Sequence, residues 1–296
     1  MTSGGSDVEE NEEEEQSNQD HARTGPLRSG GAHDGGATEE DGFPQRETLP
    51  VGVGAEEARA VIDGSRRWAV ICGDCLAILP ALPTVDHVIS DPPYDDRTHD
   101  NAVTTGASGA TGVAEFGSIN AYDLGTPLVL AAWRWCIAFC ALEQLGLYAS
   151  GVGEAWIRSG VWDKINPMPQ LTGDRPGQAV EGIAIMHREG KKKWNRGGGA
   201  AIWRCSVEHG QKNHPTQKPV KLMMDLIQDF TDPGDVILDP FCGAGTTLVA
   251  ALRCGRRAIG IEMNPVYADL SRERCRAEET NSTLGAMRAK QEPLFK

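Results

Sequence analysis

The sequence predicts an α/β fold built on a mostly parallel, doubly wound sheet and preceded by a disordered acidic tail. Three observations carry that expectation. From residue 68 onward, short apolar runs alternate with helix-like stretches, the order that produces parallel strands joined by crossover helices. Two of those runs break directly into tight turns. Val85 to Ser90 runs into Asp91-Pro92-Pro93-Tyr94, and Asp235-Val236-Ile237-Leu238 runs into Asp239-Pro240-Phe241-Cys242-Gly243-Ala244-Gly245-Thr246-Thr247. In open α/β sheets, ligands bind where strands end at such turns. Finally, charge is divided unevenly. Of the net −13, residues 1–50 hold 13 acidic residues against three arginines, or −10, which leaves −3 for the rest.

The chain of 296 residues is 40% hydrophobic, enough to build the core of one large α/β domain or two small ones. Residues 1–50 are expected to stay disordered. Glu9-Glu10-Asn11-Glu12-Glu13-Glu14-Glu15, with many Gly and Ser around it, leaves little apolar surface to offset ordering entropy. Residues 51–280 are the expected folded domain, and 281–296 a C-terminal tail. No run of about 18 apolar residues occurs, so no transmembrane helix is expected. The acidic N-terminus lacks the apolar segment of a secretory signal. Eight scattered cysteines fit a reduced, cytoplasmic protein. Cys72 and Cys75 form a C-x-x-C without a second Cys or His pair at zinc-ligand spacing, so no metal site is expected.

The elements follow in order. Ala55 to Ser65 reads as a short helix, and Trp68 to Cys72 as a strand ending at Gly73-Asp74. Cys75 to Leu82 is a short helical stretch, and Val85 to Ser90 the next strand. Residues 95–121 are rich in Gly, Ser, Thr and Ala without a period, and read as a long loop of the functional kind. Pro127 to Leu145 is apolar on most faces and reads as a buried helix. Leu147 to Val152, Ala155 to Trp162, Ala179 to His187 and Ala200 to Val207 read as strands. Val220 to Phe230 is an amphipathic helix, Val236 to Asp239 a strand, Thr246 to Cys254 a helix and Ala258 to Glu262 a strand. Asn264 is placed to cap a last helix with Pro265 at its first position.

Gly243 and Gly245 follow a strand and open a helix. Glycine there permits positive φ and lets a ligand reach backbone N–H groups at the helix N-terminus. The dinucleotide fingerprint needs a third glycine where this chain has Leu248, and no Gly-Lys-Ser/Thr makes a P-loop. Glu262 ends the next strand, where an acid can accept hydrogen bonds from the two ribose hydroxyls of an adenosine-bearing ligand. Structural turn glycines are the competing reading.

Asp91-Pro92-Pro93-Tyr94 has its own logic. Two prolines fix the backbone and remove two N–H donors. The Asp91 carboxylate and the Pro92 carbonyl are then two acceptors for the two N–H groups of an exocyclic amine. Satisfying both pulls the nitrogen lone pair out of conjugation and aims it at an electrophile. Tyr94 offers a face on which a base can stack. The competing reading is a proline-rich turn with a capping Asp.

These residues resemble the amino-specific, S-adenosyl-L-methionine-dependent DNA methyltransferases. Asp91 to Tyr94 resembles their catalytic motif and Asp239 to Thr247 their cofactor loop. His214-Pro215-Thr216-Gln217-Lys218-Pro219 resembles the segment before the cofactor strand, and Trp162-Asp163-Lys164-Ile165-Asn166-Pro167 a segment downstream of the catalytic motif. The catalytic motif precedes the cofactor loop, as in the permuted β subgroup. The resemblance implies a Rossmann-like methyltransferase fold over residues 68–275. It implies a base pocket formed by Asp91, Pro92, Pro93 and Tyr94. Asp239, Phe241, Gly243, Gly245 and Thr246 would line the methionine end of the cofactor, with Thr216 and Lys218 near its carboxylate. Glu262 would hold the ribose, and Asp74 would lie near the adenine. Asp in the first motif position leans toward adenine N6, whereas Ser is typical of cytosine N4 enzymes. Cytosine N4 transfer and a non-catalytic DNA-binding homologue remain the alternatives. Carbon-5 transfer needs a Cys in a Pro-Cys turn, and the chain has none. RNA and protein-glutamine enzymes share the Pro-Pro-Tyr turn but begin it with Asn and put the cofactor loop first.

The resemblance implies double-stranded DNA as partner, and admits a second copy of the chain and a cognate restriction enzyme. Target-recognition elements are expected in 95–121 and 188–213. In the second, Lys191, Lys192, Lys193 and Arg196 surround Trp194, a pattern suited to phosphate contact and wedging. A solvated β-hairpin tip is the competing reading there.

Overall fold

A strand covered on both faces has no polar side to show, so it reads as an unbroken apolar run. The computed structural model describes residues 53–94, 119–207 and 217–281 and assembles eight strands from them into one sheet. They are β1 (Trp68–Cys72), β2 (His87–Ser90), β3 (Trp135–Cys140), β4 (Trp156–Lys164), β5 (Val180–His187), β6 (Ile202–Cys205), β7 (Val236–Asp239) and β8 (Arg257–Glu262). Their spatial order is β1-β8-β7-β2-β3-β5-β4-β6. Neighbours are parallel except at β3–β5 and β4–β5, so β5 alone runs against the others. The expected mostly parallel α/β sheet is therefore present. The tail 1–50, residues 95–118 and 208–216, and residues 282–296 lie outside the described residues.

The helices are α1 (Val53–Ile62), α2 (Cys75–Ile78), α3 (Ala121–Leu130), α4 (Leu145–Val152), α5 (Val220–Phe230), α6 (Thr246–Arg253) and α7 (Pro265–Glu279). Side chains alternate across a strand, so each strand feeds two cores. On one face Ala69, Ile71, Val88 and Ala138 meet Ala58 and Val61 of α1, Leu124 and Leu128 of α3 and Tyr148 of α4. On the other, Val70, Ile89, Ile137 and Phe139 meet Leu226 and Phe230 of α5, Leu248 of α6 and Cys275 of α7. α5 starts after Pro219 without a side-chain cap. A missing cap costs about 1 kcal/mol. Leu222, Met223, Leu226, Ile227 and Phe230 are buried on one face of that helix. Each is worth about 1.5–3 kcal/mol relative to exposure, so packing decides the helix. The Asn264 cap is as expected: its Oδ1 accepts from Val266 N at 2.9 Å, with Pro265 first in α7. No helix among the described residues is long and apolar enough to cross a membrane.

The structure corrects two expectations and removes one competing reading. Pro127 to Leu145 is not one helix. Pro127 lies inside α3, which ends at Leu130, and β3 occupies Trp135–Cys140. β3 is buried at every position, so it lacks the alternation that separates strand from helix in a sequence. Leu147 to Val152 belongs to helix α4 rather than a strand. Finally, β5 and β6 form no hairpin, because β4 lies between them and pairs with β6 in parallel.

Candidate active site

β2 and β7 are parallel neighbours, with His87 opposite Ile237 and Val88 opposite Leu238. Equal register brings their C-terminal ends together, and with them the two turns. Ser90 Oγ donates to Asp239 Oδ1 at 2.6 Å across the strand boundary. The Phe241 amide donates to the same oxygen at 3.1 Å. Asp239 is 2% exposed, and burial pushes its carboxyl up to about 6 against the pull of Ser90, Thr247 and the Phe241 amide.

The two glycines of the β7–α6 turn do different work. Gly245 has φ +80°, and a Cβ there would stand 2.3 Å from Ser271 Oγ, so it lets α6 close on α7. Gly243 has φ +50°, and a Cβ there would meet nothing within 4 Å. Its backbone is bare on the pocket side. Glu262 Oε2 accepts from Gly243 N at 2.9 Å, and Oε1 accepts from Asn264 N at 2.8 Å. The predicted ribose acid is thus held against the glycine turn, with burial raising its pKa. β1 pairs with β8 so that Cys72 stands opposite Glu262. Asp74 follows two residues later, and its carboxylate accepts from Leu76 N at 2.9 Å to cap α2. From beneath, buried Arg274 donates to the Ala244 carbonyl at 2.5 Å and reaches Thr246 Oγ1 at 3.4 Å.

A pocket opens between the turns, lined by Asp91, Gln217, Lys218, Asp239, Phe241, Gly243 and Thr246. Gln217 Oε1 is buried and has no hydrogen-bond partner among the described residues. Bare glycine backbone, buried acceptors and an unsatisfied amide oxygen fit a polar, hydrogen-bonding ligand such as a nucleoside bearing an amino acid.

The Asp91 side of the pocket is a charge network. Lys218 Nζ donates to Asp91 Oδ1 at 2.8 Å and Oδ2 at 2.7 Å, and lies 3.3 Å from the Tyr94 hydroxyl. It also contacts Glu181 Oε2 at 3.1 Å. The Tyr94 hydroxyl is 3.1 Å from Asp91 Oδ1 and 3.0 Å from Glu181 Oε2. Lys164 Nζ closes the chain on Glu181 Oε1 at 2.8 Å. Burial raises the Asp91 pKa, with Lys218 opposing and Glu181 adding to the rise. Burial works against the Lys218 charge, yet Asp91 and Glu181 outweigh it and the direction is upward. For Glu181 burial is likewise outweighed, by Lys218 and Lys164, and the carboxyl is held low. Pro92 is buried behind the network and Pro93 is half-buried.

The structure therefore brings together Asp91, Pro92, Pro93, Tyr94, Lys218, Asp239, Phe241, Gly243, Gly245, Thr246 and Glu262, with Asp74 at the adjoining strand end. Thr216 lies outside the described residues. Lys218 lines the pocket as expected, but its ammonium is occupied by Asp91 and Glu181 rather than left for a ligand carboxylate. The DNA-contact group divides. Lys193 pairs with Asp232 at 2.6 Å and Arg196 with Asp229 at 3.3 Å. Trp194 is half-buried, with its ring centroid 4.9 Å from Phe230 and 6.2 Å from Trp203. This corrects the wedge reading of Trp194: its ring serves the core. Lys191 and Lys192 remain exposed. Sequence reasoning missed Glu181, Lys164, Ser90, Gln217 and Arg274. Glu181 left one signal, as the lone carboxylate in the otherwise uncharged run Val180 to His187.

Known proteins resemble this chain in sequence and in fold. Residues 146–273 match the N6_N4_Mtase family, described as DNA methylase. The type II methyltransferase M.HinfI of Haemophilus influenzae is 29% identical over 249 residues, covering 72% of this chain and 69% of that protein. The type II methyltransferase M.Cfr9I of Citrobacter freundii is 32% identical over 168 residues, covering 52% and 53%. Among solved structures, the M1.HpyAVI–SAM complex superposes with TM-score 0.55 at 23% identity, covering 70% of this chain and 98% of that one. The cytosine-N4-specific PvuII DNA methyltransferase superposes with TM-score 0.53 at 18% identity, covering 71% and 86%. At those identities the structures speak to the fold, which is the methyltransferase α/β sheet. By its fold and its sequence matches, this chain is similar to the DNA N6/N4 amino-methyltransferases, whose family model it matches over residues 146–273.

Proposed function

We propose that the protein binds S-adenosyl-L-methionine on the Gly243 side of the pocket and methylates the N6 amine of an adenine flipped out of double-stranded DNA. The single observation that carries this reading is the placement of two unlike turns on neighbouring strand ends. One offers bare backbone and buried acceptors, and the other a carboxylate beside a rigid carbonyl. Asp239, Phe241, Gly243, Gly245 and Thr246 would hold the amino-acid end of the cofactor, and Glu262 the ribose, with Asp74 near the adenine. Gln217 adds an acceptor for the ammonium group. A cofactor held there would supply an electrophilic methyl group on a sulfonium, with a neutral thioether as its leaving group.

This chain's own residues supply positioning and acceptor electrostatics. Extrusion of the base is needed because its amine is out of reach inside the duplex. Asp91 and the Pro92 carbonyl take the two N–H groups and turn the nitrogen lone pair toward the methyl carbon. Tyr94 stacks on the base. The methylated nitrogen is strongly acidic, so its surplus proton leaves to water without a strong base. Asp in the first motif position supports adenine over cytosine.

Expression in a host lacking DNA methylation, followed by modified-base detection across its DNA, tests the reading. N6-methyladenine at a short recurring site is expected. Asp91→Ala should abolish the mark while keeping cofactor affinity and melting temperature close to wild type. Methylation at cytosine N4 would overturn the adenine assignment, and full activity in Asp91→Ala would overturn the role of Asp91.

A further inference from the structure

We infer that Glu181 is a positioning residue that takes over Lys218 and Tyr94 from Asp91 when the target amine enters, an inference that rests on the amine-methylation reading above. Both Asp91 oxygens accept from Lys218, at 2.8 and 2.7 Å. An incoming amine competes with these donors for a carboxylate oxygen, and the lysine gives ground as the amine enters. Its side chain is 9% exposed, and a buried ammonium without a counter-ion is strongly disfavoured. Glu181 Oε2 already stands 3.1 Å from the same nitrogen, so Lys218 can shift without losing a carboxylate. Tyr94 faces the same choice. Its hydroxyl has one proton and two acceptors, Asp91 Oδ1 at 3.1 Å and Glu181 Oε2 at 3.0 Å. It can donate to only one at a time. Giving that proton to Glu181 frees the Asp91 lone pair.

Glu181 is fixed for this work. Its other oxygen is held by Lys164 at 2.8 Å, and Lys164 lies 5.2 Å over the Trp162 ring. Trp162 is the residue opposite Glu181 in the β4–β5 ladder. Two carboxylates and two ammonium groups balance, so the handover moves no net charge. The groups facing Asp91 are Lys218, Glu181 and Tyr94, with the Asp239 and Cys140 side chains close enough to feel its charge.

Steady-state methylation of duplex DNA by Glu181→Gln tests this. The variant should lose kcat on the order of 10- to 100-fold while keeping cofactor affinity. Removing a neighbouring negative charge also favours ionisation of Asp91, so the acid limb of the kcat/KM profile should move to lower pH. Lys164→Met leaves Glu181 in place but removes its clamp and a positive charge. It should lower kcat and move the acid limb the opposite way, and it decides the matter if Glu181→Gln does not fold. An active wild type whose folded variants stay within about twofold of its kcat with unmoved acid limbs would overturn the handover alone. A wild type that binds cofactor but leaves every DNA unmodified would sink the methylation reading and this inference together.

Discussion

Asp239 is a costly side chain for the fold. It is 2% exposed, and its carboxyl is pushed from the ordinary 3.8 up to about 6 by burial. The sign follows from linkage: the native state holds this proton more tightly than the unfolded chain. Stability is therefore lost as pH rises from about 4 through about 6, and the full cost, on the order of 3 kcal/mol, applies above that. Asp239→Asn keeps an oxygen for Ser90 and the Phe241 amide but carries no charge. It should raise the melting temperature at pH 8 and leave it nearly unchanged at pH 4, while cofactor affinity falls. An equal shift at both pH values would show that charge is not the cause. A stabilised but weakly binding Asp239→Asn would show a side chain that serves binding at the expense of stability. Asp239 was legible because it stands at a strand end before a glycine turn. Glu181 and Lys164 were not, although Glu181 contacts Lys218 and Tyr94 and Lys164 holds Glu181. They meet Asp91 only through pairing of β3, β4 and β5, and no local pattern encodes a contact between residues so far apart in the chain.

The turn into α6 shows what one element asks of its glycines. Both Gly243 and Gly245 have positive φ, and alanine in that region is disfavoured by about 1–2 kcal/mol. Gly245→Ala adds a collision with Ser271 Oγ at 2.3 Å, so its melting temperature should fall well below that of Gly243→Ala. Ser271→Gly in the same chain should restore part of the loss. Gly243→Ala has open space and should lose only the stability its positive φ costs, yet its cofactor affinity should fall because the methyl stands where a ligand would approach backbone. Calorimetry together with cofactor titration separates the two. Intact cofactor binding in Gly243→Ala would show that bare backbone at this position is not used. Elements with ends marked by turn chemistry were legible: β1, β7 and α5 match their expected bounds. β3 was not, because Trp135 to Cys140 is buried on both faces and follows α3 with neither glycine nor proline between them. Length, the usual arbiter for such runs, favoured a helix that only pairing with β2 and β5 overrules.

Over the whole molecule, charge has to be reconciled with a polyanionic partner. The chain carries −13, of which −3 belongs to residues 51–296, so attraction to DNA must come from local cations. Between β5 and β6 the chain docks on α5: Trp135 Nε1 donates to the Lys193 carbonyl at 2.6 Å, and Asn195 Nδ2 donates to the Gln228 and Thr231 carbonyls at 2.9 Å each. That docking divides the basic group by task. Trp194 packs on Phe230, and Lys193 and Arg196 answer the acids at the end of α5. Lys191 and Lys192 project to solvent and are the pair suited to phosphate. Replacing both with Ala should leave the melting temperature unchanged and reduce the slope of log affinity against log salt by about 2, since each neutralised phosphate contributes about 0.9. Trp194→Ala should instead lower the melting temperature, by about 2 kcal/mol of stability for a half-buried aromatic, with the salt slope unchanged. Duplex binding measured between low and physiological salt decides between them. A slope unaltered by loss of Lys191 and Lys192 would remove this segment from the DNA contact and leave its cations as solvated surface charge.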